Sequence, residues 1–93
     1  MEFKNDETGY FKWLSANPHG FVLNVRSEPD SKYVVLHRAS CGMISSTKHE
    51  PGAYTERGFR KWCAESLEEL RPAAKREGRL DGSFSKRCGL CKP

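Results

Sequence analysis

The sequence of 93 residues has no apolar run near the roughly 18 residues that a membrane helix needs. Its first residues, Met1 to Glu7, lack the basic-then-apolar order of a secretory signal. It also lacks internal repeats and low-complexity segments. We therefore expect a cytoplasmic protein with no membrane partner. In that compartment thiols stay reduced, and clustered cysteines bind metal more often than they form disulfides.

Positive charge is scarce in the first part of the chain and concentrated in the second. Residues 1–56 carry six Lys/Arg against seven Asp/Glu, a net charge of −1, whereas residues 57–93 carry ten against five, a net charge of +5. A basic segment suggests a polyanionic partner such as nucleic acid. Four thiolates on one Zn²⁺ would lower the total from +4 to +2, so the placement of the cations matters more than their sum.

Two helices are predicted. The spacing of Tyr10, Trp13 and Leu14 indicates a first helix. That helix must end before Pro18, because proline disfavours helical backbone in the residue that precedes it. A second helix is predicted over residues 67–77, since a serine and a glutamate at capping-box spacing open it and a glycine follows its end.

Three strands are predicted from short alternating apolar segments. Residues 21–25 and 33–37 are rich in β-branched residues and close in sequence, which favours an antiparallel hairpin. Residues 59–63 predict the third strand. The expected fold is α+β: a small three-stranded antiparallel sheet with two helices and a zinc-knuckle-like C-terminus. We expect a flexible N-terminus over residues 1–8 and a single zinc-stabilised domain over residues 9–93.

The chemistry of the chain centres on four cysteines with the spacing C-x21-C-x24-C-x2-C. Only Cys88 and Cys91 have the spacing of a zinc knuckle. Cys41 follows a predicted strand and Cys63 ends another, so the fold could bring all four thiolates to one ion. The sequence therefore predicts one structural Zn²⁺ bound by these cysteines, because a closed site with four ligands is structural rather than catalytic.

Two alternatives to this ligand set remain open. His37 lies four residues before Cys41 and could replace either Cys41 or Cys63 as a ligand. In the other alternative, Cys41 and Cys63 are small buried core residues, and the C-terminal pair is free or forms a labile disulfide.

Four segments together resemble a family of small bacterial zinc-binding domains with four cysteines. These segments are W-L-x2-N-P-x-G-F-V-L-N at residues 13–24, L-H-R-A-x-C at 36–41, K-x-C at 61–63 and C-x2-C at 88–91. The resemblance covers nearly the whole chain. It implies a zinc site and an association with DNA-acting modules, and it implies no catalytic residues.

A nucleic-acid-binding surface is the leading functional prediction. The segment 57–62 interleaves aromatic rings, which can stack on bases, with cations, which can bind phosphates. The opposing interpretation is that the rings belong to the core and the cations form a solvated edge. The candidate binding residues are Arg38, Arg57, Arg60, Lys61, His37 and Asn24.

Two other classes of function are alternatives to this prediction. A zinc-stabilised protein-interaction module without nucleic-acid binding would account for the absence of a recognisable catalytic set. An enzyme of the HNH nuclease type would use histidine and asparagine on a hairpin, as Asn24 and His37 could provide. No predicted helix directly after that hairpin supplies the third ligand such a nuclease needs, so we expect no enzyme activity.

Overall fold

The computed structural model describes all residues from Met1 to Pro93. A five-stranded mixed sheet carries two α-helices and two short 3₁₀ turns. The elements in chain order are β1 (Glu2–Phe3), α1 (Glu7–Ala16), β2 (Phe21–Arg26), β3 (Val34–Arg38), a 3₁₀ turn (Gly42–Ile44), β4 (Phe59–Ala64), a second 3₁₀ turn (Glu68–Leu70), α2 (Arg71–Arg76) and β5 (Lys86–Arg87).

The predicted three-stranded antiparallel sheet was wrong, although the class is still α+β. The strand order is β1-β4-β2-β3-β5. The three predicted strands form the centre, and the β2–β3 pair is antiparallel as expected. The two outer strands are two residues long, too short to show an alternating pattern, and β5 pairs in parallel with β3. Such pairings depend on contacts between distant parts of the chain, which local sequence patterns do not encode.

Helix α1 begins and ends where local chemistry satisfies its free backbone groups. The Asp6 side chain accepts a hydrogen bond from the Gly9 N–H, which caps the start. The Asn17 N–H bonds back to Leu14 and Trp13 carbonyls, and the helix ends before Pro18 as predicted. The short strand β1, at Glu2–Phe3, precedes this helix in the chain.

The second helix is shorter than the predicted span of residues 67–77. The 3₁₀ turn precedes α2, and Pro72 falls at the start of α2. There its missing N–H costs nothing, because the first N–H groups of a helix have no partner in the helix. Gly78 ends the helix with φ +104°, a left-handed conformation that glycine adopts without steric cost.

Side chains on the two faces of the sheet form two separate core clusters. Helix α1 covers one face, where Tyr10 and Leu14 pack with Val22 of β2. The α2 segment covers the other, where Leu70 and Ala74 pack with residues of β2 and β3. The α1 face also carries Cys41, Cys63 and Cys88, so the candidate metal ligands lie on that side. Neither helix is long and apolar enough to cross a membrane.

Candidate metal centre

Three cysteines and one histidine meet at the edge of the sheet formed by β3 and β5. His37 lies in β3, and Cys41 comes just before the first 3₁₀ turn. Cys88 and Cys91 follow β5. Because β5 runs parallel to β3, and the Cys88 N–H bonds to the Leu36 carbonyl at 2.9 Å, both segments reach the same end of the sheet. One ligand atom from each of the four residues lies within 4.8 Å of the others.

The spacing of the sulfur atoms suits a tetrahedral ion. Cys41 Sγ lies 3.9 Å from Cys88 Sγ. Two thiolates each about 2.3 Å from a tetrahedral Zn²⁺ would be roughly 3.8 Å apart. None of the cysteines forms a disulfide. The four residues could therefore hold a metal ion.

Backbone hydrogen bonds hold the C-terminal pair of cysteines in a tight loop. The Lys92 N–H donates to the Cys88 carbonyl at 3.0 Å. The Arg38 N–H donates to Cys91 Sγ at 3.2 Å, and Arg38 Nε donates to the Cys91 carbonyl at 3.0 Å. The terminal loop is thus fixed to the end of β3 independently of any ion.

The electrostatic environment favours a neutral imidazole at His37, disfavours the thiolate of Cys41 and favours that of Cys88. Burial, with Lys61 and Lys86 nearby, lowers the pKa of His37 to about 4, so the ring is uncharged at neutral pH. Burial raises the pKa of Cys41 to about 12. Burial acts to raise the pKa of Cys88 as well. Hydrogen bonds from the backbone N–H groups of Cys91 and Leu90 act in the opposite direction and outweigh burial, so the pKa of Cys88 lies below its ordinary value. A bound cation would supply the positive charge that the buried thiolates lack.

His37 also carries an unpaired polar atom. Its Nδ1 is buried and has no hydrogen-bond partner, and the residue is only 4% exposed. Buried polar atoms are nearly always bonded, and a lone one costs free energy. A metal ion at Nδ1 would remove that cost.

Cys63 is not part of this group, contrary to the predicted set of four cysteines. Val22 of β2 pairs with His37 on one side and with Cys63 on the other. Cys63 is therefore two strands from His37, or about 9.6 Å at the usual strand spacing. It is 1% exposed, and burial raises its pKa to about 12. It packs as a core residue, and the structure brings together the set in which His37 takes its place.

Arg60, a predicted nucleic-acid contact, is buried in an ion-pair network. Its guanidinium donates to both carboxylate oxygens of Glu77, to Glu2 at 2.8 Å and to the Arg26 carbonyl at 3.0 Å. Trp62 Nε1 also donates to Glu77, at 2.9 Å. Arg60 is 5% exposed, so neither its charge nor its hydrogen bonds are available to a phosphate.

Lys61 is likewise enclosed. Its Nζ donates to Asn24 Oδ1 at 2.7 Å and to the Tyr54 carbonyl at 2.6 Å. Asn24 Nδ2 in turn donates to the Tyr33 hydroxyl at 3.2 Å. Lys61 and Asn24 are therefore hydrogen-bonded to each other on the α1 face of the sheet, and the Asn24 amide is already occupied.

The other two predicted cations are exposed but hold loops in place. Arg57 pairs with Glu50 at 3.2 Å and donates to the Pro51 carbonyl. Arg38 donates to carbonyls of the terminal loop at Cys91 and Lys92. Arg57 has partners nearby in the chain, whereas those of Arg38 and Arg60 come from distant segments, and no local signal marked Glu77 as the buried partner of Arg60.

Lys86, Arg87 and Lys92 lie within two residues of Cys88 or Cys91 in the sequence and are exposed. None of the three forms a salt bridge. Together with Arg38 they make a positively charged border, which we call the knuckle edge. Their place near the cysteines was foreseeable from sequence, because they flank Cys88 and Cys91.

No protein-family model matches this chain, and no curated protein or solved structure gives a significant match to it.

Proposed function

We propose that His37, Cys41, Cys88 and Cys91 bind one structural Zn²⁺ and that the protein is a zinc-stabilised binding module. The observation that carries the proposal is the convergence of four ligand atoms within 4.8 Å. Three of the four residues are at most 5% exposed. Four protein ligands leave no open coordination position, which is the arrangement of a structural site rather than a catalytic one.

The donor set favours zinc over other common cations. Three thiolates and an imidazole are soft or intermediate ligands, whereas calcium and magnesium require oxygen ligands. Zinc with three thiolates carries a net charge of −1, and the adjacent knuckle edge supplies compensating positive charge. Membership in a family of small bacterial zinc-binding domains is part of the same proposal.

Metal analysis of protein purified without chelator tests the site. We expect one equivalent of zinc, and we expect chelator to lower the midpoint of thermal unfolding, because metal binding contributes directly to folding free energy. Less than about half an equivalent of zinc, together with unchanged unfolding in chelator, would contradict the proposal.

The partner that the exposed charges favour is nucleic acid, bound through the knuckle edge. Arg60 and Lys61 are internally bonded, whereas Lys86, Arg87 and Lys92 are exposed and unpaired with acids. Each phosphate neutralised by a cation releases counterions, so binding should weaken steeply with salt.

Oligonucleotide binding across a salt series tests this partner. We expect the double variant Lys86→Gln/Arg87→Gln to reduce the slope of log affinity against log salt by about 1–2, since each lost contact removes close to one unit. Lys12→Gln, an exposed site on α1, serves as the control. Zinc-loaded protein that fails to bind single- or double-stranded oligonucleotides at about 50 mM salt would favour the protein-interaction module instead.

A further inference from the structure

A cavity of about 230 Å³ lies against the metal centre. It opens between β2, β3 and the turn that carries Cys88. His37 and Cys88 form part of its wall, so the cavity and the proposed zinc ion share two residues. The residues that matter to its chemistry are Asn24, Tyr33, His37, Met43, Lys86 and Leu90.

The polar groups of this cavity include hydrogen-bond donors that have no acceptor to bond to. The Tyr33 hydroxyl accepts from Asn24 Nδ2, which leaves its own proton free to be donated. Lys86 adds an ammonium group. If Nδ1 of His37 binds zinc, Nε2 carries the proton, and metal-bound imidazoles usually donate that proton to a carboxylate, a carbonyl or water. No Asp or Glu lines the cavity.

The rest of the wall is largely apolar, and two of its residues are unusually exposed. Met43 is 58% exposed and Leu90 is 69% exposed, two of only four large hydrophobic residues so open to solvent. Both flank the same cavity. Covering apolar surface releases about 25 cal/mol per Å², so a ligand with an apolar body would gain affinity here.

We propose that this cavity binds a small organic carboxylate. The carboxylate would accept hydrogen bonds from His37 Nε2, the Tyr33 hydroxyl and Lys86, and the apolar body would cover Met43 and Leu90. A neutral ligand would leave the donors without a charged acceptor, and inorganic phosphate would leave the apolar wall bare. The volume lies below the roughly 300 Å³ of typical drug-sized sites, which favours a ligand of one ring or a short chain.

This inference rests on the proposed zinc site, because the donor at Nε2 depends on metal at Nδ1. It does not depend on nucleic-acid binding, although Lys86 belongs to both the cavity and the knuckle edge. Titration of zinc-loaded protein with benzoate, followed by calorimetry and amide NMR shifts, tests it, with zinc content measured on the same samples. We expect saturable binding with shifts confined to the cavity, at least tenfold weaker binding of benzyl alcohol, and no comparable binding of inorganic phosphate.

Two variants and one control sharpen the test. Lys86→Gln and Tyr33→Phe should each weaken benzoate binding about tenfold, since a hydrogen bond to a charged group is worth at least that factor. Lys12→Gln, on the exposed face of α1, should bind as the wild type does.

Three results would overturn the inference while leaving the zinc site intact, provided that the protein contains one equivalent of zinc. They are absence of benzoate binding, equal affinity for benzyl alcohol, and unchanged affinity in both variants. Protein that contains less than about half an equivalent of zinc, and whose unfolding is unchanged by chelator, would overturn both proposals together.

Discussion

Cys41 Sγ lies 3.9 Å from Cys88 Sγ, although 47 residues separate the two in sequence. The contact joins the segment after β3 to the segment after β5, and Cys41, Cys88 and Cys91 all pack with the α1-face core. A metal ion between these sulfurs would cross-link the two segments that follow β3 and β5. Loss of the ion should therefore loosen the connection between these two segments.

The first prediction distinguishes Cys88, a proposed metal ligand, from Cys63, a core residue. Cys88→Ser should lose zinc and lower the thermal midpoint, because it removes a metal ligand. Cys63→Ala should keep one equivalent of zinc and lose about 1–2 kcal/mol of stability, the cost of a small buried deletion. Metal analysis and chemical denaturation measure both. Zinc lost from Cys63→Ala but retained by Cys88→Ser would reverse the assignment.

The buried pair between Arg60 and Glu77 gives the second. Glu77→Leu should destabilise the protein by about 3–5 kcal/mol, because it leaves a buried guanidinium short of its partner. Arg60→Met should cost a similar amount. The double variant should cost less than the sum of the two, since removing both charges leaves no unpaired ion. Additive losses in urea denaturation would show that the two residues act independently.

The buried amine of Lys61 gives a prediction about pH. Burial lowers its pKa to about 8, below the value of about 10.4 in an unfolded chain. Between these pH values the unfolded state binds more protons than the folded state, so the free energy of unfolding should rise with pH. The rise should be on the order of 3 kcal/mol across the window.

Lys61→Met removes this titration; it also removes a charge that lowers the pKa of Cys63, which burial nevertheless keeps above its ordinary value. We expect the difference in stability between Lys61→Met and the wild type to change by that amount between about pH 8 and pH 10.4. Denaturation of both proteins across this range, at a fixed zinc concentration, makes the comparison. A difference that stays constant with pH would mean that Lys61 keeps an ordinary pKa.

The left-handed conformation of Gly78 gives a fourth prediction. A Cβ at this position would lie 3.1 Å from the Ser31 Cβ, with φ at +104°. Gly78→Ala should therefore cost about 1–2 kcal/mol or more. Gly89→Ala is the matched control, because a Cβ there meets nothing within 4 Å and its φ is not positive. We expect it to change stability by less than about 0.5 kcal/mol. Equal losses in thermal unfolding of the two variants would contradict the role of backbone conformation.

The sequence predicted the central elements because their signals are local. Alternating apolar residues marked β2 and β3, and Pro18 marked the end of α1. The outer strands carry two residues each, and their pairing depends on the chain's three-dimensional path. Predicting them requires the tertiary fold.

The ligand set, too, is only partly determined by local signals. His37 and Cys63 lie on one face of the sheet, because each pairs with Val22, but local alternation does not give the order of strands. Because β2 lies between β3 and β4, only His37 can reach the loop that carries Cys88 and Cys91. The burial of Arg60 and Lys61 could not be predicted for a similar reason, because their partners, Glu77 and Asn24, come from other elements.

The most direct test of the central claim is X-ray absorption at the zinc edge of the purified protein. Coordination through His37, Cys41, Cys88 and Cys91 predicts three sulfurs at about 2.3 Å and one nitrogen at about 2.0–2.1 Å. The same spectrum is expected from Cys63→Ala, whereas His37→Ala should lose the nitrogen contribution. Four sulfurs and no nitrogen in the wild-type spectrum would contradict the account.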